Sequence, residues 1–249
     1  MALPFAPPAS LDASFTVSRP TEADVNTLAN VYFDSFATDP ANTYWWPEDR
    51  DAMSEWLHER IRRKMSDRSV RHFQILDDHK EVVAFARWDI PEGYAAQFGE
   101  WVGVDDALDV SRAVGEDGED GTEAAPAAAK SISIPRGADT ELCQAFFAKL
   151  AALSKKWEAE KMLGLSLLCT APKYHRRGAG KALLVPMLAI ADVVGLRSYL
   201  EATPAGRHLY EKLGFQVVET KVLDATAATG GRVKGLSTIS IMIREPQPR

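Results

Sequence analysis

The sequence predicts a mixed α/β domain, and three observations carry that reading. Apolar residues recur at helical spacing in some segments and alternate in others, opening with one strand and two helices and closing with helix, strand, helix and two strands. Met162–Thr170 is a continuous apolar run, suited to a strand buried on both faces. That run passes through a glycine-bearing turn directly into a helix over 182–194.

Residues 1–14 are rich in Pro and Ala without periodicity and are expected to form a flexible tail ahead of a single domain over 15–244. Residues 15–19 alternate and end at Pro20, a short strand. Thr21 then caps a helix whose first turn carries Glu22 and Asp24, with Val25, Leu28, Val31, Tyr32 and Phe36 as its apolar stripe. Asp39 and Pro40 break it, and Tyr44, Trp45 and Trp46 fall in a loop. A second helix spans 52–65. Strands at 72–77 and 82–90 flank a short polar turn, which makes a hairpin. Residues 105–136 change character to acidic, Gly- and Ala-rich low complexity and read as an insertion outside the core. From Asp139 a helix carries Leu142, Phe146, Leu150, Leu153 and Trp157 on one stripe. After the 182–194 helix come a strand near 196–202, a helix over 206–213 stopped by Gly214, and strands at 215–223 and 237–244.

Composition narrows the function classes. The chain has 249 residues, 46% hydrophobic and 26% charged, enough apolar material to exclude global disorder. Its net charge of −6 is concentrated in residues 105–123, where eight acids face one base, so the remainder is nearly neutral and lacks the basic footprint of a nucleic-acid binder. The longest apolar run, Leu183–Ala191, is short of the roughly 20 residues of a membrane span. Two cysteines, Cys143 and Cys169, make neither a disulfide framework nor a metal knuckle, and the five histidines have no metal spacing. A soluble, cytoplasmic protein without metal is the expectation.

The turn Arg176-Arg-Gly-Ala-Gly-Lys181 between strand and helix is a physical anion site: glycines permit close backbone approach, and N–H groups converge at a helix N-terminus. It is not a nucleotide P-loop, because His175 and Ala182 stand where that motif needs Gly and Ser or Thr. A dinucleotide fingerprint fails as well, with Leu183 in place of its third glycine.

Residues 162–215 resemble the core of the GCN5-related N-acetyltransferase (GNAT) superfamily, in the style of its fungal members. In that family a strand ending Leu-x-Val-x-Pro leads into Gln/Arg-x-x-Gly-x-Gly/Ala; here Leu168-Cys-Thr-Ala-Pro172 leads into His175-Arg-Arg-Gly-Ala-Gly180. The later hallmark is matched by Thr203, seven residues before Tyr210 in Leu209-Tyr-Glu-Lys-Leu-Gly-Phe215. The opening strand followed by Arg19-Pro-Thr-Glu-Ala-Asp24 is similar too. His175 replaces the usual Gln or Arg, Thr170 stands where an aliphatic residue is common, and the acidic insertion has no counterpart.

The resemblance implies an acyl-CoA N-acyltransferase fold, a central, mostly antiparallel, splayed sheet flanked by helices. It implies acetyl-CoA as cosubstrate, with the pyrophosphate on the backbone of Arg176, Arg177, Gly178, Ala179, Gly180 and Lys181, aided by His175 and Thr203. The pantetheine arm would lie along Leu168, Cys169 and Thr170, and Tyr210 would protonate the departing thiolate. Phe33, Phe36, Tyr44, Trp45 and Trp46 correspond to the acceptor wall, although three loop aromatics could equally form a lid over the core. Asp89, Glu100 and Glu201 are the candidate proton acceptors, with none favoured. The expected activity is direct transfer of an acetyl group to the primary amine of a small molecule. The alternatives are a protein N-acetyltransferase or a non-catalytic acyl-CoA-binding module, as a monomer or a homodimer.

Overall fold

A computed structural model describes residues 3–101 and 133–248. The chain enters through a short strand, β1 (Thr16–Ser18), and turns at Thr21, whose backbone N–H donates to the Asp24 carboxylate at 2.7 Å. That cap launches α1 (Val25–Phe36). A one-turn helix α2 (Pro40–Thr43) and the longer α3 (Arg50–Met65) follow, the latter capped by Asp49, which accepts from the N–H groups of Asp51 and Ala52. The hairpin β2 (Val70–Leu76) and β3 (Val82–Asp89) comes next, then α4 (Thr140–Lys156), capped by Asp139. The second half reads β4 (Leu163–Thr170), α5 (Ala179–Val193), β5 (Ser198–Ala202), α6 (Pro204–Lys212), β6 (Gln216–Asp224), the short α7 (Ala225–Ala228) and β7 (Leu236–Arg244).

The strands form one seven-stranded sheet in the order β1-β2-β3-β4-β5-β7-β6. Every neighbouring pair is antiparallel except β4–β5. Apolar side chains alternate across the sheet into two cores. On the first face α1, α3 and α4 bury Leu28, Trp56, Phe146 and Leu153 with Phe85, Cys169, Tyr199 and Ile241 of the sheet. On the second face α5 and α6 bury Leu183, Met187 and Tyr210 with Phe73, Trp88, Leu165, Leu200 and Met242. Among the described residues, no helix is long and apolar enough to cross a membrane.

Two boundaries differ from the sequence reading. Residues 3–14 are not a loose tail: Leu3, Phe5 and Leu11 pack on the second core, and the Phe5 ring centroid lies 5.0 Å from that of Phe73. The segment has no period that a sequence reading could detect, yet its spaced apolar residues join the core that α5 also covers. The expected insertion lies mostly outside the described residues, but residues 133–136 lie within them, and of these Ser133, Ile134 and Pro135 are partly or fully buried. Ile134 lies against the first core, and the Trp56 indole donates to the Ser133 carbonyl at 2.8 Å.

A buried ion pair ties the second layer to the sheet. Arg244 of β7 meets Asp192 of α5 through two bonds of 2.6 and 2.8 Å, and its Nε donates to the Leu213 carbonyl just past α6 at 2.8 Å. Both side chains are largely hidden, so removing one partner strands a desolvated charge. Asp192→Ala should therefore cost about 3 kcal/mol or more of stability, read by chemical denaturation; a loss under about 1 kcal/mol would place the pair in effectively aqueous surroundings.

Candidate active site

The β4–β5 ladder is short. Leu163, Gly164 and Leu165 pair with Ser198, Tyr199 and Leu200, and there it stops. The cause lies on the other edge of β4. Arg87 of β3 pairs with Leu167 while Trp88 pairs with Leu165, so Ser166 is an extra residue with no partner, a β-bulge. The Arg87 Nε donates to the Ser166 hydroxyl at 2.9 Å and pins it there. Beyond the bulge β4 and β5 diverge into a gap.

Among the described residues, backbone groups in that gap are open. The Ala171 N–H donates to the Val83 carbonyl at 2.9 Å, so Cys169 and Ala171 direct their backbone towards β3. By alternation Leu168 and Thr170 face the gap. The Thr170 carbonyl accepts from the Ser35 hydroxyl of α1 at 3.2 Å and from His175 Nε2 at 2.9 Å, which fixes the proton of that ring on Nε2. The Leu168 N–H and C=O and the Thr170 N–H remain. Cys169 does not share the role expected of it: its backbone serves β3, and its buried thiol, pushed up from its ordinary pKa by burial, lies in the first core.

The turn above the gap forms a cradle. Arg176 and Gly178 both have positive φ, at 64° and 86°, which coils the backbone so that successive N–H groups face one side. The first bond of α5 runs from the Ala182 N–H to the Gly178 carbonyl, and among the described residues the N–H groups of residues 176–181 have no acceptor. Arg176 and Lys181 are exposed beside them. Two expected members stand apart. The His175 N–H is spent on the Pro172 carbonyl and its ring on Thr170, while Arg177 is held by Asp12 at 3.0 Å and lies over the Phe15 ring.

Tyr210 is set into the gap by the end of its own helix. Gly214 adopts φ +89°, the Phe215 N–H returns to the Tyr210 carbonyl at 3.1 Å, and the Gly214 N–H to that of Glu211. This is a Schellman closure, which only glycine makes without strain. The Phe215 ring stands edge-on to the Tyr210 ring at 6.1 Å. Burial, with the nearby Cys169 sulfur adding to it, pushes the Tyr210 phenol up from its ordinary pKa, so it keeps its proton at neutral pH. Thr203 begins α6, and its hydroxyl makes no hydrogen bond among the described residues.

The three candidate carboxylates separate once placed. Glu100 is exposed, and the Asp89 side chain is 44% exposed beside Lys64. Glu201 lies on β5 one residue past the last ladder pair and shares the first face with Tyr199, whose hydroxyl donates to it at 2.9 Å. Burial raises its pKa to about 7; the Tyr199 bond opposes that rise and the Asp89 charge adds to it. Tyr210 and Glu201 thus flank one gap from opposite faces.

The aromatic segment is a loop, as expected, and its side chains are buried in the first core. Trp45 is 1% exposed and packs on Trp56, Phe146 and Phe147, while Tyr44 stands against Phe146. Phe33 stacks on Trp46. Phe36, beside Ser35 and stacked on Tyr32, is the expected wall residue at the open end of β4. Among the described residues no group of His, Cys, Asp and Glu could hold a metal ion.

Residues 144–217 match the sequence profile described as the acetyltransferase (GNAT) domain. No curated protein sequence matches the chain. Among solved structures, it is similar to the histone acetyltransferase HPA2 and related acetyltransferase from Corynebacterium glutamicum, at 21% identity over 95% of this chain and 98% of that one, with a TM-score of 0.52. It is also similar to a GNAT superfamily phosphinothricin acetyltransferase from Sinorhizobium meliloti in complex with AcCoA, at 13% identity over 94% and 89% of the two chains, with a TM-score of 0.50. The fold is that of the acyl-CoA N-acyltransferases.

A close contact inside α6 sets the Tyr210 ring. A Cβ on Gly206 would lie 2.8 Å from Tyr210 Cε2 and 3.3 Å from its hydroxyl. Gly206→Ala, which on helix propensity alone would stabilise, should instead destabilise by roughly 1–3 kcal/mol because the buried ring must yield. Denaturation showing a gain would mean that the ring moves freely.

Proposed function

We propose that this chain is an acetyl-CoA-dependent N-acetyltransferase, fungal in type and cytoplasmic, that passes an acetyl group directly to the primary amine of a small molecule without a metal. The observation that carries the reading is the splayed gap between β4 and β5, with the open N–H groups of residues 176–181 at its mouth and a protonated, buried Tyr210 beside it. The profile match over residues 144–217 supports it, since it spans the gap, the cradle and Tyr210. So does the fold shared with a protein whose crystal holds AcCoA.

The residues fit that cosubstrate. The cradle at residues 176–181, with Arg176 and Lys181 beside it, suits a pyrophosphate, and the open groups of Leu168 and Thr170 suit the amides of an extended arm laid along a strand edge. Bound acetyl-CoA supplies an activated acyl group as a thioester. The chain's own residues then manage protons. Glu201 accepts the proton that a bound ammonium must lose before its nitrogen can attack. As the new C–N bond forms and the C–S bond breaks, Tyr210 gives its proton to the departing sulfur. Phe36 and Tyr32 offer an apolar wall on the acceptor side, backed by the aromatic packing of Phe33, Tyr44, Trp45 and Trp46.

Tyr210→Phe keeps the ring against Phe215 and removes only the hydroxyl, so folding and acetyl-CoA affinity should survive while turnover falls roughly 10²-fold. The measurement is release of free thiol at saturating acetyl-CoA over a panel of amines; parental turnover in the variant would assign the proton to another donor.

Glu201 gives two pH dependences of opposite sign. As a base it must be ionised, so kcat/KM should rise with pH through about 7, and Glu201→Gln should abolish that limb. Stability runs the other way. The folded pKa stands above the ordinary 4.5, so the native state holds the extra proton between those values and stability falls as pH rises from about 4.5 to beyond 7. Thermal unfolding of Glu201→Gln should lack that fall; an unchanged pH profile in both assays would remove Glu201 from the reaction.

A further inference from the structure

Among the described residues, the first face carries two arginines with no carboxylate paired to them. Arg87 of β3 is 6% exposed, and its bonds go to the hydroxyl and carbonyl of Ser166, both neutral. Arg60 of α3 lies over the Trp56 and Phe147 rings, at 5.1 and 4.9 Å, and its Nε is buried with no acceptor. Among the described residues, neither guanidinium has a carboxylate within 4.0 Å. They also feel each other. Burial first, and then the charge of Arg87, lowers Arg60 to about 10, so Arg60 remains a cation at neutral pH. Nearby His72 is pushed down to about 3 by burial and the same Arg87 charge, so it cannot share the load as a third cation and does not relieve the repulsion. A buried guanidinium and a half-buried one on the same face, with no anion beside them among the described residues, are costly, and a ligand that brought an anion would relieve that cost.

The place of the pair relative to the gap indicates the ligand. Arg87 pairs with Leu167 of β4 and shares the first face with Phe85, while Tyr210 belongs to the second, so this guanidinium and the phenol lie on opposite faces of the sheet; Arg60 stands on the first face over Trp56 and Phe147. Both arginines occupy the face that Glu201 also shares. We infer that Arg60 and Arg87 bind an oxyanion carried by the acceptor, so that the substrate is an acidic amine of the amino-acid class and not a simple alkylamine. Guanidinium groups match carboxylates in shape and charge. An acceptor lacking the anion leaves both guanidinium groups without a partner, and a site built to pair a polar group rejects the analogue without it. This rests on the acetyl-transfer reading, and the test separates the two.

The experiment compares standard amino acids with their decarboxylated amines as acceptors, in the parent, Arg60→Met and Arg87→Met. In parallel, melting temperature is followed with acetate, propionate or succinate against chloride at fixed ionic strength. The parent should favour some amino acid over its decarboxylated amine by roughly 100-fold or more in kcat/KM. Arg60→Met should lower that preference at least tenfold, mainly through KM, while neutral amines are unchanged or improved. Its fold should survive without loss of melting temperature, since a buried charge is removed and not orphaned. Carboxylates should raise the parent's melting temperature and not the variant's. If no amine is acetylated but Arg60-dependent stabilisation by carboxylates persists, acetyl transfer fails and the anion site stands. Decarboxylated amines used as well as amino acids would overturn the inference. So would the absence of any carboxylate stabilisation, or a marked loss of stability in Arg60→Met, which would mean that the chain already supplies the counter-ion.

Discussion

The gap between β4 and β5 exists because Ser166 puts β4 out of phase with itself. One additional residue opposite β3 exchanges the strand's inward and outward edges, so the backbone groups that bonded β5 as far as Leu165 no longer meet it. A bulge of this kind leaves a serine without a ladder partner, and Arg87 compensates by bonding its hydroxyl. Both helices after β4 inherit their positions from that divergence. The crossover through α5 starts at the gap's mouth, and α6 leaves β5 at its far side. With a straight β4 the seven strands would close into one continuous sheet, and Tyr210 would lie under it with nothing to face.

A splayed sheet also keeps two proton-bearing groups apart without insulating them. The phenol belongs to the core under α5 and α6, while the carboxylate belongs to the core under α1, α3 and α4. Both are shifted by the same physical cause, removal from water, yet the consequences differ. For a phenol the shift locks the proton on; for a carboxylate it brings the titration to neutrality, where the group can exchange a proton with its surroundings. Placing them in one pocket would have coupled their titrations.

What the sequence made legible follows from how local each signal is. The strand, glycine turn and helix at Leu168–Ala182 are written in contiguous residues, as is the Leu213-Gly-Phe215 closure that holds Tyr210. The packed N-terminal segment was illegible because its apolar residues follow no period, and Trp45 because nothing in a Tyr-Trp-Trp run says which core it fills. The choice of Glu201 over Asp89 and Glu100 needed burial, which composition does not carry. The paired arginines did leave a trace. Arg60 falls one helical turn from Trp56 on the stripe of Met53, Leu57 and Ile61, and Arg87 lies two residues along β3 from buried Phe85. A charged residue at a buried period is a departure worth following.

The two cysteines have a practical consequence. Cys143 and Cys169 are both buried, and desolvation raises the first thiol to about 11 and the second further, so neither is a nucleophile in the closed protein. Cys169 sits on β4 at the rim of the gap, under the end of α1. An alkylating reagent reaches it only when strand and helix part, so its labelling kinetics count how often the rim opens. The chain thus carries its own reporter of breathing at the site, with Cys143 on the buried side of α4 as the internal reference for opening elsewhere.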